Sequence, residues 1–266
     1  MIEKHLKAVL TIAGSDSSGG AGIQADLKTF IANGVYGMSA ITAITAQNTM
    51  GVRAVMNVTP DVLAAQLDAV FEDIAPDAIK IGMVSTVALI KVIGDRLKRY
   101  RPQHVVLDPV MVATSGSKLI SDDAIDELKK LFPLAEVITP NMFELAVLTD
   151  QSFDAVIDER DMERSARKLF DEYGCGVLAK GGHLKNEAND VLFSVEGVRR
   201  FNGDRVETNN THGTGCTLSS AIAANLAKGE TLVRSIEEAK KYLSGALSTG
   251  LSMGHGNGPL DHGYAI

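Results

Sequence analysis

A glycine-containing segment ahead of a predicted helix carries the strongest chemical signal in the sequence. It covers residues 210–216, reads NTHGTGC, and precedes a helical pattern over residues 217–228. The first amides of a helix have no partner inside the helix, and the helix dipole favours negative charge at that end. The segment therefore predicts an anion hole that could stabilise a phosphoryl group during its transfer.

Cys216 lies in the first turn of that predicted helix. The helix dipole lowers the pKa of a thiol at this position, which would favour a reactive thiolate. A single cysteine is more commonly a small buried apolar residue. The residues alone leave both interpretations open.

Polar side chains also follow two predicted strands. Asp108 stands in the run LDPVM, and Asn141 and Glu144 stand three apart in the run TPNMFE. Mg²⁺ bound with phosphates needs few protein ligands and keeps several waters, so one carboxylate from each strand end would suffice. Asn141 and Glu144 also have the spacing of a helix-capping pair, and the two roles are compatible.

Two more loops follow predicted strands. Residues 14–22 read GSDSSGGAG, a glycine-rich and polar run that lacks the lysine of a Walker A loop and the spacing of a dinucleotide fingerprint. We interpret it as a ligand loop, because a flexible connection alone explains the glycines but not the polar residues. Lys180 opens the run KGGH and could meet a phosphate oxygen; the alternative is a solvated lysine beside a glycine turn.

Composition narrows the class of protein. The chain has 266 residues and a formal charge of -7, without a Lys/Arg block typical of nucleic-acid binding. Its apolar runs are too short to span a bilayer, and Cys175 and Cys216 form no disulfide framework. We expect a cytoplasmic protein with one domain over residues 1–266, acting on neither membranes nor nucleic acids.

Short apolar runs alternate with amphipathic helical patterns. Helices are predicted after the caps Thr59 and Ser121, up to Gly174, and over residues 232–247. The predicted strands cover residues 8–13, 39–46, 78–81, 104–107, 136–139, 177–179 and 191–195, with an antiparallel hairpin over 191–206. This order predicts an α/β fold with a central, mostly parallel sheet, helices on both faces, and ligands at the carboxyl ends of the strands.

Seven sequence blocks occur together in one order. The chain resembles the ribokinase-like superfamily and, within it, the bacterial hydroxymethylpyrimidine/phosphomethylpyrimidine kinases of thiamin biosynthesis. The resemblance runs almost end to end. The blocks are residues 10–30, 41–49, 80–83, 105–111, 138–144, 180–183 and 210–217.

The resemblance implies a ribokinase-like fold and a homodimer. It implies phosphorylation of 4-amino-5-hydroxymethyl-2-methylpyrimidine and then of its monophosphate, both with Mg²⁺ and ATP. The pyrimidine would lie near Gly14, Asp26, Gln47, Met83 and Val110, with Gln47 on the ring edge and Asp26 on a ring or amino substituent.

The same resemblance implies roles on the phosphate side. Glu144 would act on the metal through water, assisted by Asp108. The ATP side would comprise Asp108, Thr139, Asn141, Lys180 and Thr211. Other branches of the superfamily carry an aspartate where this chain has Cys216. The resemblance therefore assigns Cys216 to substrate alignment and to candidate base, with the amides of Gly213, Thr214, Gly215 and Cys216 as an oxyanion clamp.

Three alternatives remain at this point. A pyridoxal kinase shares nearly all these motifs, and its substrate also carries a hydroxymethyl group, as well as an aldehyde that could add to Cys216. A thiol hydrolase would pair Cys216 with His212, although the sequence reveals no group to orient that histidine. A nucleotide-binding regulator would bind ATP without turnover, which Lys180 and Glu144 argue against.

Overall fold

An eight-stranded sheet forms the centre of the protein in the computed structural model, which describes residues 5–112, 119–152, 155–182 and 188–266. The strands, in chain order, are β1 Ala8–Ala13, β2 Tyr36–Ile41, β3 Ala43–Asn48, β4 Gly51–Asn57, β5 Ala78–Ile81, β6 His104–Leu107, β7 Val137–Ile138, β8 Gly176–Ala179, β9 Asp190–Ser194 and β10 Gly197–Phe201. The sheet order is β10-β9-β8-β7-β6-β5-β1-β2, and β3 and β4 pair as a separate two-stranded sheet.

Six of the eight strands in the central sheet are parallel, and β9 and β10 add an antiparallel edge. This arrangement confirms the predicted α/β class and the predicted hairpin. The helices are α1 Gly22–Ala32, α2 Pro60–Asp73, α3 Val87–Tyr100, α4 Asp122–Lys129, α5 Met142–Leu148, α6 Glu159–Tyr173, α7 Thr214–Ala227 and α8 Leu232–Leu247.

Helices cover both faces of the sheet because alternate strand residues point in opposite directions. Leu10, Ile79 and Leu107 point to one core, which α2, α3 and α6 complete. Val9, Ala78 and Val106 point to the other core, which is completed largely by α7 and α8. None of the helices in the described ranges has the length and apolar character needed to cross a membrane.

The strand predicted over residues 39–46 is wrong in one respect, because it is broken at Thr42. The Thr42 amide donates to the carbonyl of Ala13 at 3.0 Å, and its hydroxyl donates to the carbonyl of Met83 at 2.8 Å. These bonds hold the chain at the edge of the central sheet, and β3 then leaves to pair with β4. The continuous apolar run gives no sign of this break, and β4 and α3 were not predicted at all.

The capping signals had mixed outcomes. The Thr59 hydroxyl accepts from the amide of Val62, and Gly174 ends α6 with a left-handed φ of 73°, both as predicted. Ser121 precedes α4, but its side chain makes no capping bond. His183, the last residue of the KGGH run, lies outside the described residues.

Candidate active site

Two loops meet above the carboxyl ends of the central strands. One is the 14–22 loop between β1 and α1, and the other is the 210–216 segment ahead of α7. Gly213 has a φ of 88°, and a Cβ there would lie 1.9 Å from the carbonyl oxygen of Gly20. A Cβ on Gly20 would lie 2.4 Å from the ring of His212. The close approach of the two loops therefore requires glycine at both positions.

Asp16 organises the 14–22 loop from within. Its carboxylate accepts hydrogen bonds from the amides of Ser18, Gly20 and Ala21, and from the Ser18 hydroxyl. His212 Nε2 lies 2.7 Å from Asp16 Oδ2 and joins the second loop to the first. Burial raises the pKa of Asp16, but the bonds from His212 and Ser18 outweigh it and lower the pKa to about 2.

Three predicted residues come together where β6, β7 and β8 end. Lys180 Nζ donates to Asp108 Oδ1 at 2.7 Å, and the Thr139 hydroxyl donates to the same oxygen at 3.1 Å. A Cβ on Gly215 would lie 3.2 Å from both Asp108 Oδ2 and Lys180 Nζ. The first turn of α7 is therefore in direct contact with the Asp108–Lys180 pair.

Lys180 keeps its charge at this position. Burial opposes the ammonium form, but the Asp108 and Glu144 carboxyl groups outweigh burial and raise the pKa of Lys180. Its side chain is only 14% exposed. The site thus holds a fixed positive charge beside the amides of α7, which suits a polyphosphate.

Asn141 and Glu144 form the predicted capping box at the start of α5. The Asn141 amide donates to Glu144 Oε2 at 2.8 Å, and the Glu144 amide donates to Asn141 Oδ1 at 2.9 Å. Burial, and secondarily the Asp108 carboxylate, raise the pKa of Glu144 to about 7, against the opposing effect of Lys180. Glu144 therefore changes charge near neutral pH.

This raised pKa predicts a pH dependence if Glu144 acts as a carboxylate. Below about pH 7 Glu144 takes up a proton, so kcat/KM for ATP should fall by up to tenfold per pH unit in the wild type. Glu144→Gln should give a low kcat/KM that is flat across the same range. A wild-type profile that stays level down to about pH 5 would contradict the prediction.

Of the two interpretations of Cys216 that the sequence leaves open, the structure favours the buried thiol. Burial is the largest cause of a pKa raised to about 11, and the carboxylates of Asp26 and Asp108 act in the same direction. Lys80 and the amide of Gly22 oppose these effects but do not outweigh them. Cys216 is therefore a neutral thiol at neutral pH, because desolvation exceeds the opposing effects of Lys80 and the Gly22 amide.

Alkylation with iodoacetamide checks this protonation state. In a Cys175→Ser variant, the rate constant for Cys216 should rise about tenfold per pH unit between about pH 7 and pH 10. The unfolded variant provides the control, because its Cys216 should titrate near the ordinary pKa of about 8.5. A plateau of the folded rate near neutral pH would mean that the thiolate is already formed.

Gly14, Met83 and Gln47, which are predicted to bind the pyrimidine, lie within or beside the 14–22 loop. A Cβ on Gly14 would lie 3.4 Å from the Met83 sulfur. The Gln47 side-chain oxygen accepts from the Thr45 hydroxyl at 3.2 Å, and its backbone bonds to Ser17. Val110 follows Asp108 in a tight turn, with its amide 2.8 Å from the Asp108 carbonyl oxygen. Their contacts with a substrate stay a prediction.

Asp26 is buried close to Cys216, whose pKa its carboxylate raises. Its carboxylate accepts from Lys80 Nζ at 2.8 Å, from the Thr11 hydroxyl at 2.6 Å and from the Ser220 hydroxyl at 2.7 Å, and the Asp26 and Lys80 side chains are fully buried. Asp26 is therefore the centre of a buried polar cluster that joins α1, β1, β5 and α7. The direct ring contact implied by the resemblance stays a prediction.

The structure adds Lys80 to the functional candidates, and it gives His212, considered above only as a partner of Cys216, a carboxylate partner in Asp16. Lys80 interrupts the apolar strand β5, and a lysine inside a buried strand is itself a signal of a buried ion pair. Burial opposes its charge, but Asp26, with Cys216 and Asp108, raises the pKa of Lys80 overall. The sequence does not reveal the partner of His212, because Asp16 is remote from it in sequence.

Thr211 and Thr214 shape the turn that starts α7. The Thr214 amide and hydroxyl point to the Thr211 carbonyl oxygen, at 3.4 Å and 3.2 Å. This turn leads the chain into the first turn of α7, where Gly215 lies beside the Asp108–Lys180 pair. Contact of Thr211 with a nucleotide stays a prediction.

Within the described ranges, no cluster of three or more His, Cys, Asp or Glu side chains could hold a metal ion by itself.

The thiol hydrolase considered above would need a group that orients His212, and Asp16 is such a group. However, His212 Nε2 is directed at Asp16, and the Cys216 thiol is neutral. The arrangement therefore favours anion binding over attack by a thiolate.

The fold and this site define a ribokinase-like kinase of small molecules. The Bacillus subtilis pyridoxal kinase, solved as an ADP complex, is 38% identical, with a TM-score of 0.89 over 97% of this chain and 98% of that one. The phosphomethylpyrimidine kinase from Clostridium difficile 630 is 46% identical, with a TM-score of 0.79 over 90% of this chain and 98% of that one.

Sequence comparison gives the particular family. Residues 16–261 match the family described as phosphomethylpyrimidine kinase. The hydroxymethylpyrimidine/phosphomethylpyrimidine kinase of Rhizobium meliloti is 52% identical over 257 residues, which are 95% of this chain and 96% of that protein. This chain therefore belongs to the phosphomethylpyrimidine kinase family, which confirms the resemblance drawn from the seven sequence blocks.

Proposed function

We propose that this chain transfers the γ-phosphoryl group of ATP to 4-amino-5-hydroxymethyl-2-methylpyrimidine and then to its monophosphate, in thiamin biosynthesis. The observation that carries the proposal is the contact of the first turn of α7 with the Asp108–Lys180 pair. Amides of the first turn of a helix, a largely buried lysine and a carboxylate at one point suit a transferring phosphoryl group. The 52% identity to the Rhizobium meliloti kinase supports the choice of acceptor.

Different residues of the site act on the transferring phosphoryl group and on the acceptor hydroxyl. The amides of 213–216 bind the oxygens of the transferring group, and Lys180 neutralises them. Cys216, as a neutral thiol, aligns the acceptor hydroxyl and does not deprotonate it. Phosphoryl transfer with a loose transition state needs little base catalysis, so positioning and charge supply most of the rate enhancement.

Asp108 and Glu144 fit a Mg²⁺ ion that is held mainly by water and phosphate oxygens. Both are buried carboxyl groups beside Lys180, and hard oxygen ligands are those that Mg²⁺ prefers. When bound with ATP, Mg²⁺ would neutralise charge on the β- and γ-phosphates. Asn141 would hold Glu144 in place through the capping box.

The test is ATP consumption by one enzyme preparation offered the hydroxymethylpyrimidine, its monophosphate and pyridoxal. The proposal expects turnover of both pyrimidines, with pyridoxal a poor acceptor. Refusal of the monophosphate together with preferred turnover of pyridoxal would overturn the assignment of the acceptor. Refusal of all three would overturn the proposal as a whole.

Pyridoxal kinase is the second candidate, because the Bacillus subtilis enzyme has the higher TM-score of the two structures compared, 0.89 against 0.79. Overall shape does not select the acceptor, however, because function depends on the residues at the site. The sequence identities, 46% and 52% to the two pyrimidine kinases against 38%, favour the pyrimidine.

Two variants should separate substrate binding from transfer. Gln47→Ala should raise KM for the pyrimidine about tenfold with little change in kcat, because it removes a hydrogen bond made before and during transfer.

Cys216→Ala should lower kcat about 100-fold and leave the Kd for ATP nearly unchanged. Initial rates and calorimetry measure both effects, and equal kinetics of Cys216→Ala and wild type would remove its assigned role.

We also propose a domain organisation, an oligomeric state and a cellular location for the protein. Residues 1–266 would act as one kinase domain, working as a homodimer in the cytoplasm. Sedimentation of the purified protein tests the dimer, and a monomer with full activity would count against it.

A further inference from the structure

The pair formed by Asp16 and His212 is a feature that the proposed transfer does not yet use. The two residues lie 196 positions apart in sequence, and their side chains are 1% and 7% exposed. Asp16 belongs to the loop that carries Gly14 on the pyrimidine side. His212 belongs to the segment whose amides form the anion hole. The pair therefore joins the two halves of the site.

We propose that His212, held by Asp16, is a positioning residue that fixes the anion hole relative to the acceptor; this rests on the proposed function. His212 is the residue immediately before Gly213, whose φ of 88° turns the backbone into α7. Fixing the ring fixes the peptide plane that enters the helix. The amides of 213–216 then keep one orientation toward the Asp108–Lys180 pair.

The charge of the Asp16 carboxylate makes its hydrogen bond with His212 strong and directional. With a pKa of about 2, Asp16 is ionised at neutral pH and can only accept hydrogen bonds, so His212 Nε2 carries the hydrogen. Hydrogen bonds to an ionised group are roughly twice as strong as neutral ones. The remaining acceptor capacity of Asp16 is taken by the amides of Gly20 and Ala21 and by Ser18, so the carboxylate cannot turn away.

The backbone of His212 is also held by the C-terminal part of the chain. Its amide donates to the carbonyl of Gly258 at 3.1 Å, and it forms a parallel bridge with Pro259. A second link between the two loops runs from the amide of Gly22 to the Cys216 thiol. His212 thus links the 14–22 loop through its imidazole and residues 258–259 through its backbone. A small displacement of the imidazole would move the anion hole without removing any group that touches a substrate.

The test compares kcat with binding in His212→Leu, His212→Gln, Asp16→Asn and the double variant Asp16→Asn/His212→Leu. His212→Leu should lower kcat for the hydroxymethylpyrimidine about 100-fold, the scale of a displacement of about 1 Å at a reacting centre. The Kd values for a non-hydrolysable ATP analogue and for the pyrimidine, each measured alone by calorimetry, should change less than about threefold. His212→Gln keeps a donor and should recover part of kcat, and the double variant should lose no more than the worse single variant.

His104 provides the matched control, because it pairs with Glu136 at 2.6 Å at the amino ends of β6 and β7, away from the site. His104→Gln should keep kcat within about twofold of wild type.

An unchanged kcat in His212→Gln and Asp16→Asn, or a rise in both Kd values as large as the loss of kcat, would overturn the positioning role. If His212→Leu does not fold, the single variants His212→Gln and Asp16→Asn and their combination give the same comparison. Absence of turnover by the wild type would instead remove the proposed function, and this inference with it.

Discussion

Gly213→Ala is expected to lower kcat about 100- to 1,000-fold, the cost of losing a donor of an oxyanion hole. An alanine Cβ would lie 1.9 Å from the carbonyl oxygen of Gly20, and the φ of 88° would be strained as well. The two loops would have to separate, which turns the amides of 213–216 away from the Asp108–Lys180 pair. Steady-state kinetics at saturating ATP and pyrimidine measure the effect.

Gly229→Ala is the matched control for backbone strain. Gly229 follows the other end of α7 with a φ of 90°, and a Cβ there would meet no atom within 4 Å. This variant carries the cost of a left-handed residue, about 1 kcal/mol of stability, without separating the loops. It should retain kcat within about twofold. Similar losses of kcat in both variants would mean that general destabilisation, and not the geometry of the anion hole, controls the rate.

Lys80→Met is expected to lower the free energy of unfolding by about 3–5 kcal/mol, because it leaves a buried carboxylate without its counter-charge. Lys80 Nζ lies 2.8 Å from Asp26 Oδ2, and both side chains are 0% exposed. The hydroxyls of Thr11 and Ser220 would remain as donors to Asp26 but carry no charge. Urea unfolding followed by circular dichroism measures the change.

Two further variants make this prediction specific. The pair Lys80→Met/Asp26→Leu should recover much of the lost stability, because packed apolar residues can replace a buried ion pair. Lys7→Met removes a lysine that is 56% exposed and bonds to Asp77 at 2.7 Å. It should cost less than about 1 kcal/mol. Equal losses in Lys7→Met and Lys80→Met would show that burial does not set the cost at Lys80.

The sequence predicted the central strands well because their apolar character is local. The β5 and β6 strands have the predicted bounds, since runs such as Val105-Val106-Leu107 suit strands buried on both faces. The break at Thr42 was not predictable in this way. It depends on carbonyl groups of Ala13 and Met83, which belong to other parts of the chain.

The candidate site was predictable where each residue follows a strand. Asp108, Thr139 and Lys180 were predicted at three strand ends, and adjacent parallel strands bring them within hydrogen-bonding distance. The pKa of Cys216 was not predictable, because the helix dipole is visible in the sequence whereas burial is not. Asp16 and His212 were missed as a pair for a similar reason, since only the folded chain brings them together.

The position of α7 in the sequence bears on how the chain emerges during synthesis. The strands of the central sheet end at Phe201, before α7 begins at Thr214. Until α7 has formed, Val9, Ala78 and Val106 on one face of the sheet lack their cover. Exposed apolar surface of this kind favours aggregation. Nascent chains that stop short of α7 should therefore depend on chaperones, and phosphoryl transfer should appear only after almost the whole chain has been made.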